Sequence, residues 1–459
     1  MLADKKIYLL ILAAFLISML SSFLFVKTYD KYEVSTDEIE NHSMIKGDIP
    51  DIWIDGQTIK NDLRNGKNYF ESGKEIFRSY LPPRTIALFS YFLNYDLFED
   101  SKNKVFSSNN KKMYYLFIQS LFYFFSLTIF FKEIKKHFEI RICNFIIFFL
   151  AIEPTIFFYH SSFHTESLFF TMQILMLTLL INNNQLTIKY IGIGILLGVM
   201  FLQKLVAIYY VIPIIIYYSY KLRFRAFKPL IIIFSLYVLI IFLVGYGNYK
   251  RANIFYFMPP SSKSTLHLYF PSEIISRAEN IKETKAAKII EKDRQMWINQ
   301  NDINLNLEKD RITYYNYLQK YSIDIILKYP FTSVKFITWR TLQTCILNPI
   351  YIFEFYKEEN AKRPFYYLNE NYKKINLPIR IFYSSILYLI IIYGFFCSRK
   401  KIKIEHHILL ILSSFYMLAL LGWANNSRYF VPILIYLSIY FGYGLNNIYK
   451  FLSLRKQND

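Results

Sequence analysis

Three short stretches of the chain set ionisable side chains beside apolar ones in patterns that could do chemistry. The first runs from Asp55 through Ile59, Asp62 and Leu63 to Gly66 and is followed by Tyr80, Pro82 and Pro83. An acid stands at the start of a short helix, a glycine ends that helix, and a Pro-Pro turn sends the chain back. A lone Asp before a helix is by preference an N-cap, so Asp55 reads on its own as a cap or as a working carboxylate. The second stretch holds Glu153, Pro154, Tyr159, His160, His164, Thr165, Glu166 and Ser167. A proline near the end of one apolar run, a polar patch, and then an acid opening the next run are costly beside hydrocarbon. Ionisable groups at such depth face a cavity as a rule. His160, His164 and Glu166 also have spacings compatible with a divalent metal such as zinc or manganese, with a third ligand unassigned. The competing reading makes the two histidines interfacial hydrogen-bonders. The third stretch, Trp423, Asn425, Asn426, Arg428, Tyr429 and Pro432, is a short turn into the last apolar run. A guanidinium there can clamp a phosphate in bidentate fashion, or it can snorkel between aromatic anchors. Lys204 and Arg251 are weaker candidates for holding a phosphate, each equally readable as a boundary charge.

The elements that must hold these groups are apolar. The 459 residues are 54% hydrophobic and include 44 Phe and 41 Tyr, more than a soluble core of this length can use. The expected class is therefore an all-α polytopic membrane protein. Ten spans are expected near 7–26, 113–131, 141–158, 164–182, 187–202, 205–220, 230–246, 379–397, 406–423 and 429–447. The formal net charge of +20 could point to nucleic acid. The Lys and Arg residues bunch in short loops instead, at Lys132, Lys135, Lys136 and Arg141, at Lys221, Arg223, Arg225 and Lys228, and at Arg399, Lys400, Lys401 and Lys403. With the tail residues Lys450, Arg455 and Lys456, they all fall on the side of the N-terminus, which is the cytoplasmic side. No nucleic-acid partner is expected. The first run is too long for a signal-peptide core and reads as an uncleaved anchor. Counting the apolar segment 85–95 as a span would invert every later loop, so it is placed in the interface after Pro83. The segment 331–355, with Lys335, Arg340 and Pro349, either lies on the surface or is re-entrant.

The organisation that follows is an N-terminal membrane module over 1–246 with an outer loop 27–112, an interfacial helical region over 247–378, and C-terminal spans over 379–459. Helical text is expected at 276–300 and 316–328. Cys143, Cys345 and Cys397 read as packing residues, too few for a disulfide framework.

At these residues the sequence resembles the GT-C superfamily of polyprenyl-phosphate-sugar-dependent glycosyltransferases. It resembles in particular the bacterial family 39 type, related to protein O-mannosyltransferases and the lipid A aminoarabinose transferase. The resemblance rests on one span, an outer loop with an acid and a Gly-ended helix, a Pro-Pro turn, and a later Pro, Thr-Glu, Leu-Phe stretch. A surface helix around Pro330 and the Arg428-to-Pro432 approach to the final span complete it. The family implies a GT-C-like bundle of about ten or more transmembrane helices with periplasmic amphipathic helices. It also implies that Asp55 is the catalytic acid, that Glu166 is a second acid near the lipid-phosphate cavity, and that Arg428 is a late basic residue. Arg428, helped by Lys204 and Arg251, would stabilise the leaving phosphate, and Asp55 would accept the acceptor's proton. Ile59 stands where Tyr is usual, Lys204 where Arg is common, and Arg84 where a small or aromatic residue follows the prolines. The implied partners are a polyprenyl-phosphate-linked sugar, an acceptor lipid, glycan or protein, and the bilayer. The implied setting is the bacterial inner membrane with the site facing the periplasm. The residues name no cofactor, and a divalent metal stays open. A surface-polysaccharide polymerase or ligase and a lipid-linked oligosaccharide flippase are the alternatives. The flippase is disfavoured by spans almost free of mid-bilayer charge, and the polymerase by the early acid loop.

Overall fold

The computed structural model describes residues 2–29, 48–68, 72, 80–95, 98–100, 105–106, 112–160, 166–258, 263, 267, 270–305, 307–347, 369–421 and 427–458. Along the first half the helices are α1 (Leu2–Tyr29), α2 (Asp48–Arg64), α3 (Leu81–Phe92), α4 (Lys112–Ile134), α5 (Ile140–Ile152), α6 (Pro154–His160), α7 (Glu166–Ile181) and α8 (Thr187–Gln203). After a 3₁₀ turn over Leu205–Tyr209 come α9 (Val211–Leu222), a second 3₁₀ turn, and α10 (Phe227–Ala252). The second half adds α11 (Pro271–Ala278), α12 (Glu283–Gln300), α13 (Glu308–Lys328), α14 (Pro330–Leu347), α15 (Asn369–Ser398), α16 (Ile404–Leu421) and α17 (Ser427–Asn458). The protein is an all-α polytopic membrane protein. The one departure among the described residues is a two-strand antiparallel ladder of β1 (Phe98–Asp100) and β2 (Val105–Phe106).

Among the described residues five stretches are long and apolar enough to cross a membrane: Lys5–Phe23, Met113–Ile134, Leu205–Lys250, Pro378–Ser398 and Phe430–Arg455. The third contains both α9 and α10, and the shorter apolar helices α5, α7, α8 and α16 sit among the rest. Leu9, Leu12, Leu16 and Leu20 of α1 are exposed, and an apolar face of that kind is at home against lipid tails. The expected span 141–158 is interrupted: Pro154 cannot donate a backbone hydrogen bond, and the helix stops at Glu153 and restarts as α6. Helices α15 and α17 cross at very short range. A Cβ at Gly394 would lie 1.8 Å from the Tyr440 carbonyl oxygen, so only glycine admits this approach.

The chain alternates between two poles. At one, Glu139 pairs with Lys450 at 2.8 Å, His137 meets His406, and Lys221 reaches Asn183. These contacts gather the loops after α4, α7, α9 and α15 with the end of α17, the basic loops read from the sequence. The opposite pole collects the ends of α6, α8 and α10 and the starts of α4, α7 and α17. Outside it stand α11 to α13, where Phe270 and Ile274 pack on Phe336 and Ile275 packs on Ala286 and Ile290. The expected helix 276–300 is two helices, because Asn280 takes a left-handed φ of 52° that ends α11. The C-terminal turn of α14 docks on α15, where Ser384 Oγ donates to the Ile346 carbonyl and Tyr388 Oη to that of Cys345. Tyr388 in turn packs on Phe430, so α14 reaches the bundle at the second pole. Residues 348–355 of the same segment lie outside the described residues.

Candidate active site

At the second pole, Glu166 opens α7 and Lys204 closes α8. The Lys204 ammonium donates to Glu166 Oε1 at 2.8 Å, with side-chain exposures of 14% and 4%. Local structure favours each charge. The carboxylate sits in the first turn of α7, where unpaired backbone N–H groups and the helix dipole stabilise an anion. The ammonium sits where α8 ends, in extended backbone with φ −146° and ψ 123°, where the dipole favours a cation. The Phe169 ring lies 5.7 Å from the ammonium. Two candidates separated by 38 residues, one expected as an acid and one as a phosphate ligand, are thereby one buried ion pair.

Beside the pair lies a polar seam between helix ends. His160 is fully buried, stacked on Tyr123 at 3.5 Å, with Nδ1 at 2.6 Å from Ser167 Oγ. Its carbonyl accepts from Gln119 and Ser120 of α4. These contacts make His160 a packed histidine that ties α6 to α4 and α7. Among the described residues no group of three His, Cys, Asp or Glu is placed to hold a metal ion, and His164 lies outside them. Glu153, at the break between α5 and α6, accepts from the Ile156 N–H at 2.8 Å and from Thr155 Oγ1. Tyr383 Oη of α15 donates to the same carboxylate at 3.0 Å. Glu153 therefore caps α6 and ties it to the C-terminal spans.

Asp55 does not start a helix. It lies in the middle of α2, half-buried, which removes the N-cap reading and corrects the expected start by seven residues. The predicted end holds: Gly66 takes a φ of 78°, with Gly66 N–H donating to Leu63 and Lys67 N–H to Asp62, a Schellman closure. Helix α2 packs on α3 through Gly56, whose Cβ position is 3.2 Å from the Pro83 carbonyl. Helix α3 starts at Leu81, four residues earlier than expected, with prolines in its first turn. Tyr80, just before it, packs with Val244 of α10 and Leu202 of α8, two residues from Lys204. The acid loop is thus fastened over the end of α8. Phe89 of α3 meets Tyr115 edge to face at 5.9 Å, and Tyr115 lies within electrostatic reach of Glu166.

Several polar groups at this pole were given no role by the sequence patterns, Arg84 being noted there only as a departure from the family. Arg84 is buried, stacked over the Tyr80 ring at 3.7 Å, and donates to the Ser72 carbonyl. Lys60 is fully buried and donates to the Tyr95 carbonyl. Arg380 is buried in α15 one turn before Tyr383. The legible signal for Arg84 and Arg380 was a lone cation inside an apolar run. Arg428 lies in the first turn of α17 and Arg251 in the last turn of α10. Gln173 of α7 donates to Tyr436 Oη of α17 at 3.5 Å, which sets the register of these two parallel helices. Glu166 precedes Gln173 by seven residues and Arg428 precedes Tyr436 by eight. At 1.5 Å per residue both lie roughly 10–12 Å toward the same pole, so the backbone of Arg428 stands level with Glu166.

Residues 66–257 match the Alg9-like mannosyltransferase family. Over those residues the chain is similar to a family of GT-C-type glycosyltransferases. The matched part, less than half of the chain, contains Glu166, Lys204 and Arg251 and excludes Asp55 and Arg428. Two solved structures of an oligosaccharyltransferase from Archaeoglobus fulgidus also align with the chain. One is AglB with an inhibitory peptide and a dolichol-phosphate, the other the apo form. Each has 12% identity and a TM-score of 0.49 and covers 97% of this chain. The chain spans about half the length of those proteins, at 51%. No curated protein sequence matches it.

Proposed function

We propose that this chain is a glycosyltransferase that moves a sugar from a polyprenyl-phosphate donor to an acceptor hydroxyl or amine, with inversion at the anomeric carbon, at the pole of Glu166 and Lys204. The prenyl chain lies between spans and its phosphate comes to the Lys204 ammonium, where Arg428 and Arg251 add positive charge. As the bond from the anomeric carbon to the phosphate oxygen breaks, the phosphate gains charge that these cations stabilise. The acceptor oxygen or nitrogen bonds to the opposite face of the carbon, and its proton passes to Asp55. Glu166 keeps the ammonium in place until the phosphate competes for it. The observation that carries this reading is the buried Glu166–Lys204 pair at the mouth of two helix ends, roofed by the acid loop.

The same reading places the basic pole at the cytoplasmic face of a bacterial inner membrane, since short loops rich in Lys and Arg are retained there. The termini are then cytoplasmic and the reaction periplasmic, with the acceptor a lipid, glycan or protein. The test is binding of undecaprenyl phosphate to the full chain in nanodiscs. Lys204→Met is expected to weaken it by roughly tenfold, the worth of one charge-assisted hydrogen bond. Unchanged affinity would remove Lys204 from the donor site.

A further inference from the structure

The basic pole holds a cluster that the transfer reaction does not use. His406, in the first turn of α16, is 4% exposed, and neither of its ring nitrogens has a hydrogen-bond partner. A neutral imidazole carries one donor and one acceptor, so burying both unmet is unfavourable. The ring stacks on Tyr217 at 6.2 Å and meets His137 edge-on at 6.2 Å. The charged and titratable groups that face it are Lys221, His137, Lys403 and Lys189, contributed by four separate elements. Glu133 is already engaged by Lys136 and His137, and Glu405 lies near Lys221. Cations therefore outnumber acids around a buried donor. Lys189 is itself only 8% exposed and donates to the Asn182 carbonyl, while Lys221 donates to Tyr217 Oη at 2.8 Å. Ile188 and Ile404, next to Lys189 and Lys403 in the chain, and Phe224 and Phe227, in the turn after Lys221, are exposed apolar side chains at the same level.

We propose that the ends of α4 and α9 and the starts of α8 and α16 form a phosphate-binding site, with Lys189, Lys221, Lys403 and the His406 ring as ligands. An acidic phospholipid headgroup is the occupant that best suits the exposed apolar rim, which would take its acyl chains. The site is at the opposite pole from Glu166 and Lys204 and is independent of the donor reading.

The test uses the full chain purified in detergent and titrated separately with phosphatidylglycerol, phosphatidylcholine and inorganic phosphate, read by native mass spectrometry and thermal unfolding. Saturable binding of phosphatidylglycerol with a raised unfolding temperature is expected, and Lys189→Gln with Lys221→Gln should weaken it by at least about tenfold. Lys221→Gln alone, at a half-buried position, should act in the same direction, and Lys400→Gln, exposed at the same pole, should change nothing. Saturable binding of inorganic phosphate without the lipid, lost in the same variants, would support the site with a soluble occupant. Equal binding of both lipids by wild type and double variant, or no saturable binding of any probe, would overturn it.

Discussion

Replacing Lys204 by Met keeps most of the apolar stem and removes the ammonium, leaving the Glu166 carboxylate at 4% exposure without its 2.8 Å partner. Breaking one side of a buried ion pair costs about 3–5 kcal/mol, because the remaining charge is stranded away from water. At 1.4 kcal/mol per decade, that is roughly a hundred- to few-thousand-fold in the folding equilibrium. Glu166→Gln should cost less, since Lys204 at 14% exposure can turn its ammonium toward water. The double variant carries no stranded charge and should be more stable than Lys204→Met alone. The assay is reversible unfolding in mixed detergent micelles, run as a double-mutant cycle on the full chain. A coupling energy above about 1.5 kcal/mol is expected. Single-variant costs that add within about 0.5 kcal/mol would refute the buried pair as an energetic unit.

Arg428→Ala should raise the donor concentration needed for half-maximal transfer and leave acceptor dependence unchanged; an unaltered donor dependence would return Arg428 to an anchoring role. Gly394→Ala would place a methyl 1.8 Å from the Tyr440 carbonyl and so push α15 from α17. A loss of about 1–3 kcal/mol or more in the same unfolding assay is expected, and wild-type stability would contradict the close crossing. His267 of the outer region has its pKa lowered, first by burial and then by Arg294. Its neutral form is the one that folding favours, so stability is complete above the ordinary histidine pKa of about 6.5 and is lost as pH falls through the lowered value. His267→Gln should flatten that acid-side loss, measured by unfolding between neutral pH and about pH 4; an unchanged slope would contradict it.

Charge and apolar pattern made the architecture readable. The loops at Lys132, Lys221 and Lys401 alternate with apolar runs, and that alternation alone sorts them to one pole. Gly66 was legible because the helix end there demands a left-handed backbone, whereas Pro82 and Pro83, read as a turn before the helix, lie in the first turn of α3. The pairing of Glu166 with Lys204 was not, since it depends on how α7 and α8 are rotated against each other, which no periodicity reports. Lys204 read alone is a boundary charge, and nothing in the spacing of His160 reports that its ring stacks on Tyr123 and bonds Ser167. The break at Glu153 showed only as a proline near the end of an apolar run, which was read as one span through it. Asp55 looked like a helix start because the acid and the glycine bracket a short polar stretch, while packing on α3 extends α2 back to Asp48.

The most direct test of the transfer account is mass spectrometry of lipid-linked sugars and envelope glycans in a strain lacking this chain, complemented with wild type or with Asp55→Asn at equal membrane levels. The account predicts that a polyprenyl-phosphate sugar accumulates and one glycan modification disappears in the deletion, and that wild type alone restores both. Profiles unchanged by the deletion, or full restoration by Asp55→Asn, would contradict it.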